Sequence, residues 1–282
     1  MLNVKLCAFA DEAGDTLPEQ IAMMKDNGIE YLELRAIDKK NVSKMTVAEI
    51  TEYKKQLDDA GIKVWSLGSP IGKVDINAPF ENELDRLKHT VELAVAAEAK
   101  CIRLFSFYGT GGDPAYRDAV IENLSKFVEA AKGSGVTLCH ENEKGIYGDN
   151  AARCLEIHKA IPEMPAIFDP ANYVQVGQDT LEAWEMLEPY VYYGHIKDSL
   201  ADGSIVPAGA GEGHIAEYLP KFFAKGCQVL TLEPHLAIFS SLAAIEKKGD
   251  ESKIGHFHFN SKREAFDLAV NELKKIIRGI EA

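Results

Sequence analysis

Short, nearly continuous hydrophobic runs alternate with longer stretches of helical period along the whole chain. Eight runs read as strands: Val4 to Phe9, Tyr31 to Ala36, Val64 to Gly68, Ile102 to Phe107, Val136 to His140, Ala166 to Asp169, Val191 to Ile196 and Val229 to Glu233. Most lack polar alternation, as parallel strands covered on both faces should. Helical patterns follow them at Leu17 to Asn27, Thr46 to Ala60, Glu81 to Ala99, Pro114 to Lys132, Asn150 to Ala160, Thr180 to Leu187, Ile215 to Lys225 and Lys262 to Gly279. Thr46 stands three residues before Glu49 in capping-box spacing, and Gly28, Gly61, Gly133 and Gly226 sit where a left-handed residue ends a helix. Strand–helix units repeated without a linker or composition break predict one (β/α)8 barrel domain over residues 1–282, with a doubly wound open sheet as the alternative.

Composition narrows the function classes. A chain of 282 residues with 46% hydrophobic content can bury a large core. Lys+Arg of 31 against Asp+Glu of 44 gives a net charge of -13, which disfavours nucleic acid and anionic membrane surfaces as partners. The run Leu6 to Ala10 is too short and too soon acidic for a secretory signal, and the longest uncharged stretch, Pro234 to Ile245, is far below the roughly 20 residues that span a bilayer. Cys7, Cys101, Cys139, Cys154 and Cys227 form no CxxC pair, so they read as small buried apolar residues in a reducing compartment, and a cytoplasmic location is expected.

A barrel places its chemistry at the carboxyl ends of its strands. The later strands end in "CHENE", "IFDPAN", "YGHIKDS" and "TLEPH", so Glu141, Asp169, His195 and Glu233 interrupt successive apolar runs at separations of 28, 26 and 38 residues. Three carboxylates and an imidazole suit a divalent ion such as Mn2+, Zn2+, Co2+ or Mg2+, with positions open for substrate oxygens. The missing thiolates argue against a closed structural zinc site. Taken singly, each residue is more simply a helix cap, an ion-pair partner or a satisfied core histidine; recurrence at successive strand ends favours one shared site. Glu143 has the same parity as Glu141 but already lies in the loop, so Glu141 is the preferred ligand.

These residues, together with "YLELR", "SLGSPIGK", "HEN", "FDPAN", "GHIKD", "GAGEG" and "LEP", resemble the sugar phosphate isomerase/epimerase superfamily of xylose isomerase-like TIM barrels. That superfamily includes ketose 3-epimerases, hydroxypyruvate isomerases, inosose isomerases and dehydratases, and endonuclease IV. The resemblance implies a Glu141-Asp169-His195-Glu233 metal site in which Glu141 and Glu233 are also the acid/base pair. It implies isomerisation or epimerisation of a sugar, sugar phosphate or polyol by proton transfer through a metal-stabilised enediolate, with dehydration of an inosose- or dehydroshikimate-like substrate as the alternative. One departure is Asn172, where ketose 3-epimerases carry a histidine three residues after the metal aspartate; asparagine can bond a substrate hydroxyl but cannot titrate. An endonuclease-like three-zinc site is disfavoured because "SLGSP" and "LFSFYG" offer no histidine.

Further substrate contacts are expected from Asn172, Lys197, Glu33, Trp65 and Phe107. Lys197 either neutralises substrate oxygens or pairs with Asp198, and Glu33 either points inward or pairs with Arg35. Trp65, Phe105, Phe107 and Tyr108 form a wall against a sugar face or belong to the core. "AGAGEG" is a phosphate-cradling loop or a turn entering a helix. The connection 234–261, with His256 and His258, closes over substrate or forms a subunit contact. A homo-oligomer, dimer or tetramer, is expected.

Overall fold

In the computed structural model, which describes residues 2–240, 242, 253, 254 and 257–282, every predicted hydrophobic run contains a strand. In chain order the strands are β1 (Lys5–Ala8), β2 (Tyr31–Leu34), β3 (Ala36–Ile37), β4 (Lys40–Asn41), β5 (Lys63–Leu67), β6 (Cys101–Leu104), β7 (Thr137–Glu141), β8 (Ala166–Phe168), β9 (Val191–Ile196), β10 (Asp198–Ser199), β11 (Ile205–Val206) and β12 (Val229–Leu232). Eight of them close on themselves in the order β1-β12-β9-β8-β7-β6-β5-β2, every neighbour parallel, which decides for the closed (β/α)8 barrel over the open sheet. The pairs β3–β4 and β10–β11 are small antiparallel ladders outside it.

The helices are α1 (Leu17–Asp26), α2 (Val47–Asp59), α3 (Phe80–Ala96), α4 (Arg117–Ala131), α5 (Ala151–Ala160), α6 (Pro170–Gln175), α7 (Thr180–Leu187), α8 (Ile215–Ala224) and α9 (Lys262–Glu281). The capping box closes as expected: Thr46 Oγ1 accepts the Glu49 N–H at 3.2 Å while Glu49 accepts the Thr46 N–H at 2.7 Å. Helix α6 was not predicted. It starts because Asp169 accepts the Asn172 N–H at 3.1 Å and Pro170 occupies the first helical position, where its missing N–H costs nothing.

Alternation within the strands stacks the barrel interior in layers. Cys7, Cys101, Cys139, Ile167, Tyr193 and Val229 form one buried cluster, with Tyr31 and Trp65 packed against it. Two residues further along their strands come Glu33, Arg103, Glu141, Asp169, His195 and Thr231, all buried. An apolar plug therefore underlies a charged layer near the carboxyl ends. The five cysteines are buried and free. Among the described residues no helix is long and apolar enough to cross a membrane.

Candidate active site

Glu141 closes β7, Asp169 follows β8, His195 lies within β9 and Glu233 follows β12. The four side chains are buried, and one ligand-capable atom from each lies within 4.8 Å of all the others. His195 Nδ1 is 2.9 Å from Glu141 Oε1 and 3.2 Å from Glu233 Oε2. Its other nitrogen, Nε2, is 3.2 Å from Glu33 Oε2. Glu33 also accepts from Thr231 Oγ1 and from the Tyr193 hydroxyl, both at 2.8 Å. A carboxylate behind an imidazole fixes the ring's orientation and tautomer, so Glu33 supports His195 from below instead of reaching toward a substrate.

Asp169 is held by its neighbours. Asn142 Nδ2 donates to the Asp169 carbonyl at 2.9 Å, and the Asp169 N–H donates to Asn142 Oδ1 at 3.0 Å. Asn172 Nδ2 donates to the Asn142 carbonyl at 2.8 Å, so this amide, expected at a substrate hydroxyl, joins the two strand ends. Lys197 does not pair with Asp198; its Nζ is 3.0 Å from Asp169 Oδ2 and 3.7 Å from Glu233 Oε2.

Asp198 organises the glycine-rich loop. Its carboxylate accepts the N–H groups of Ser199, Gly209, Gly211 and Gly213 at 2.8–3.0 Å. The loop's donors point at a carboxylate of the chain itself, which removes the phosphate-cradle reading. A Cβ on Gly211 or Gly213 would overlap Asp198 Oδ1.

Several charged groups at the site were missed from the sequence. Arg35 bonds Asp11 at 3.0 Å and both Glu12 and Glu233 at 2.9 Å. Arg103 bonds Glu141 at 3.1 Å and approaches Glu233 at 3.5 Å. The Phe9 ring lies 4.3 Å from the Arg35 guanidinium and 4.8 Å from that of Arg103, with its edge toward His195. Glu143 pairs with Lys73 at 3.0 Å and stands apart from the ligand group.

Two expected substrate contacts are corrected. Trp65 packs on Tyr31, Tyr192 and Tyr193 at the amino-terminal end of the barrel, opposite the ligand cluster, because its alternation in β5 puts it in the apolar plug. Phe107 packs at a tilt against Phe127 of α4, ring centroids 5.9 Å apart, and belongs to the core; its left-handed backbone, φ 66°, turns it outward. His256 of the 234–261 connection lies outside the described residues.

Burial and crowding set the protonation pattern. Burial raises Asp169 to about 6, with Glu141 and Glu233 adding to it and Lys197 opposing. Burial likewise raises Glu12 to about 8 against the pull of Arg35. Burial works against a charge on His195, but Glu141 and Glu33 outweigh it and raise the imidazole well above its usual range. For Glu233, Lys197 and His195 overcome burial and hold the carboxyl well below the usual range. With Glu12 protonated, the carboxyl groups of Asp11, Glu33, Glu141, Asp169 and Glu233 still outnumber the fixed cations Arg35, Arg103 and Lys197, and a protonated His195 narrows the surplus. Buried Asp169 Oδ2 and Glu233 Oε2 accept no hydrogen bond from the described residues. Surplus negative charge, carboxylate oxygens engaged only in ion pairs and an imidazole fit a divalent cation.

The fold has solved counterparts. A probable 3-DHS dehydratase, AsbF, involved in petrobactin synthesis from Bacillus anthracis superposes with a TM-score of 0.73 at 15% identity, covering 97% of this chain and 98% of that one. The IOLI protein with a bound zinc atom gives 0.74 at 15% identity over 98% of this chain and 99% of its own. A D-allulose 3-epimerase from a Methylomonas species, solved with D-allulose, gives 0.74 at 14% identity over 99% and 98%. No curated protein matches the chain. The family model described as xylose isomerase-like TIM barrel matches residues 21–233, three quarters of the sequence, and the chain belongs to that family.

Proposed function

We propose that the chain is a divalent-metal-dependent isomerase or epimerase of a sugar, sugar phosphate or polyol. The observation that carries this reading is the convergence of two glutamates, Glu141 and Glu233, with Asp169 and His195 on one small volume. Glu141, Asp169, His195 and Glu233 would hold the ion. Bound there, it would polarise a substrate carbonyl and offset the charge that develops when a proton leaves the neighbouring carbon.

The rest is work for side chains. Glu141 and Glu233 come from β7 and β12, which are separated in the barrel wall by β8 and β9, so they can approach a carbon from different sides. One carboxylate removes the proton and keeps it while the other, starting as the carboxylic acid, delivers its own proton to the opposite face, giving epimerisation; delivery to the adjacent carbon gives isomerisation. Arg103, bonded to Glu141 and close to Glu233, holds the two carboxylates in place. Lys197, freed from Asp169, would neutralise a substrate oxygen. Asp169 and His195 anchor, with Asn142, Asn172 and Glu33 fixing their positions.

A second reading is dehydration of an acidic cyclic hydroxyketone. The gathering of Arg35, Arg103 and Lys197 favours it, since a neutral sugar has no need of three buried cations. Incubating protein saturated with Mn2+ or Co2+ in D2O with ketoses, inososes and dehydroshikimate separates the readings. Deuterium at a carbon next to the carbonyl with the hydroxyls retained supports isomerisation or epimerisation. Loss of water supports the second reading. No exchange and no elimination across the panel, in protein shown to hold metal, overturns both.

A further inference from the structure

Glu233 faces two ways. Its Oε2 lies 3.2 Å from His195 Nδ1, on the side of the four-residue ligand set. Its Oε1 lies 3.5 Å from His235 Nε2 and 2.9 Å from Arg35 Nη1. On that second side Glu12 and His235 complete another group, all buried, whose ligand-capable atoms lie within 4.8 Å of one another.

His235 is built into place. Its backbone is left-handed, φ 45°, a sparsely populated region for residues other than glycine. Its N–H donates to Glu12 Oε2 at 2.8 Å, and Phe239 packs on the ring with centroids 5.2 Å apart. The imidazole is 4% exposed, yet neither ring nitrogen makes a hydrogen bond to any described residue, although Nε2 stands 3.3 Å from Glu12 Oε1. A buried imidazole without a hydrogen bond calls for an explanation, and an absent ion is one. Arg35 Nη2 reaches Glu12 at 2.9 Å, but each carboxylate oxygen has two lone pairs, so a guanidinium on one flank leaves the flank facing His235 available. One imidazole nitrogen with carboxylate oxygens is a donor set suited to Mn2+, Co2+ or Zn2+.

We infer that Glu12, His235 and Glu233 form a second divalent-cation site, joined to the first through the carboxylate of Glu233, one oxygen serving each ion. The bridge rests on the ion proposed above for the first site. A consequence follows for the chemistry: once Oε2 is engaged by the first ion, Oε1 is the oxygen left for proton transfer, and filling the second site removes it. The second ion is therefore an inhibitor, and the rate should rise and then fall as metal is added.

The test is anomalous scattering from crystals of the full chain soaked in excess Mn2+ and, separately, Co2+, paired with metal counting by native mass spectrometry. Two ions per chain are expected, sharing Glu233. His235→Leu should keep the ion between Glu141, Asp169 and His195 and lose the other; Glu12→Gln serves the same purpose if the first variant does not fold. A single ion on the Asp169 side overturns the second site and leaves the proposed function standing. No ion at either position overturns both. Two ions that persist unchanged in His235→Leu and Glu12→Gln also overturn the assignment.

Discussion

Replacing Glu33 with glutamine is the sharpest single probe of how the barrel prepares His195. The glutamate is fully buried and accepts from Thr231 Oγ1 at 2.8 Å, the Tyr193 hydroxyl at 2.8 Å and His195 Nε2 at 3.2 Å. Although burial raises its pKa, His195 and Arg103 more than compensate and lower it, so the group is charged at neutral pH. Glutamine keeps the shape but can present an oxygen to only one side. If its amide nitrogen faces Nε2, that nitrogen must accept and the imidazole proton moves to Nδ1, the atom that faces Glu141 and Glu233. A ring protonated there cannot ligate through that atom. Losing such a backing carboxylate costs about 10–100-fold in metal affinity, or about 1.4–2.7 kcal/mol. Calorimetric titration of Mn2+ into metal-free wild type and Glu33→Gln near neutral pH measures the difference, with circular dichroism confirming the fold. An affinity within about twofold of wild type, while Asp169→Asn abolishes binding, would show that Glu33 does not orient His195.

Three more outcomes are expected. Asp198→Asn exchanges one acceptor oxygen for a donor, so two of the four N–H groups now bonded at 2.8–3.0 Å lose their partner. A loss of about 2–3 kcal/mol in urea denaturation and faster hydrogen exchange at Gly209, Gly211 or Gly213 should follow, and unchanged protection would refute it. His158 Nδ1 donates to the Met164 carbonyl at 2.9 Å, and burial lowers its pKa to about 4 from an ordinary 6.5. Because the unfolded chain takes up the proton first as pH falls, stability is lost between those two values, by about 3 kcal/mol in all. His158→Asn should flatten the stability profile in that window, and a profile parallel to wild type would contradict the argument. Lys197→Met removes the partner 3.0 Å from Asp169 and leaves a buried carboxylate uncompensated. The metal-free variant should lose about 3–5 kcal/mol and regain it with Mn2+ more than wild type does; equal stability of the two metal-free proteins sinks the idea.

The fold was legible because strand-length apolar runs recur between helical patterns, and the four converging residues because each interrupts such a run where the strand stops. Glu141, Asp169, His195 and Glu233 carry that signature one by one. Alternation in β5 and β6 also puts Trp65 in the plug and Arg103 beside Glu141, a signal present in "VWSL" and "CIRL" that leaves Trp65 in the core, the alternative to a wall against a sugar face. Other features have no local trace. Arg35 stands two residues after Glu33, which suggests a neighbouring pair, yet its partners are Asp11, Glu12 and Glu233. The short helix α6 hid behind Asp169–Pro170, which reads equally as a turn. The outward turn of Phe107 and the inward turn of His235 depend on left-handed backbones that neither residue type announces.

An acidic chain that places Arg35, Arg103 and Lys197 in its interior needs a reason for doing so. Each is costly to bury, and each is found against the carboxylates that would ligate a cation: Arg35 and Arg103 at Glu233, Arg103 at Glu141, Lys197 at Asp169. Their charges offset the repulsion among the buried carboxylates. With an ion in place the same charges are in excess of what the ligands require. The least constrained of them would then be available to meet negative charge on a substrate. Lys197 is the best placed for that change of partner, since it lies just after His195 at the end of β9 and approaches both Asp169 and Glu233. The arginines are pinned by more contacts, Arg35 by three carboxylates and Arg103 by Gly68 O as well as Glu141. Division of labour follows from that difference: the guanidinium groups hold Glu141 and Glu233 in position, and a single ammonium on a flexible stem is left to answer to the substrate of the proposed reaction.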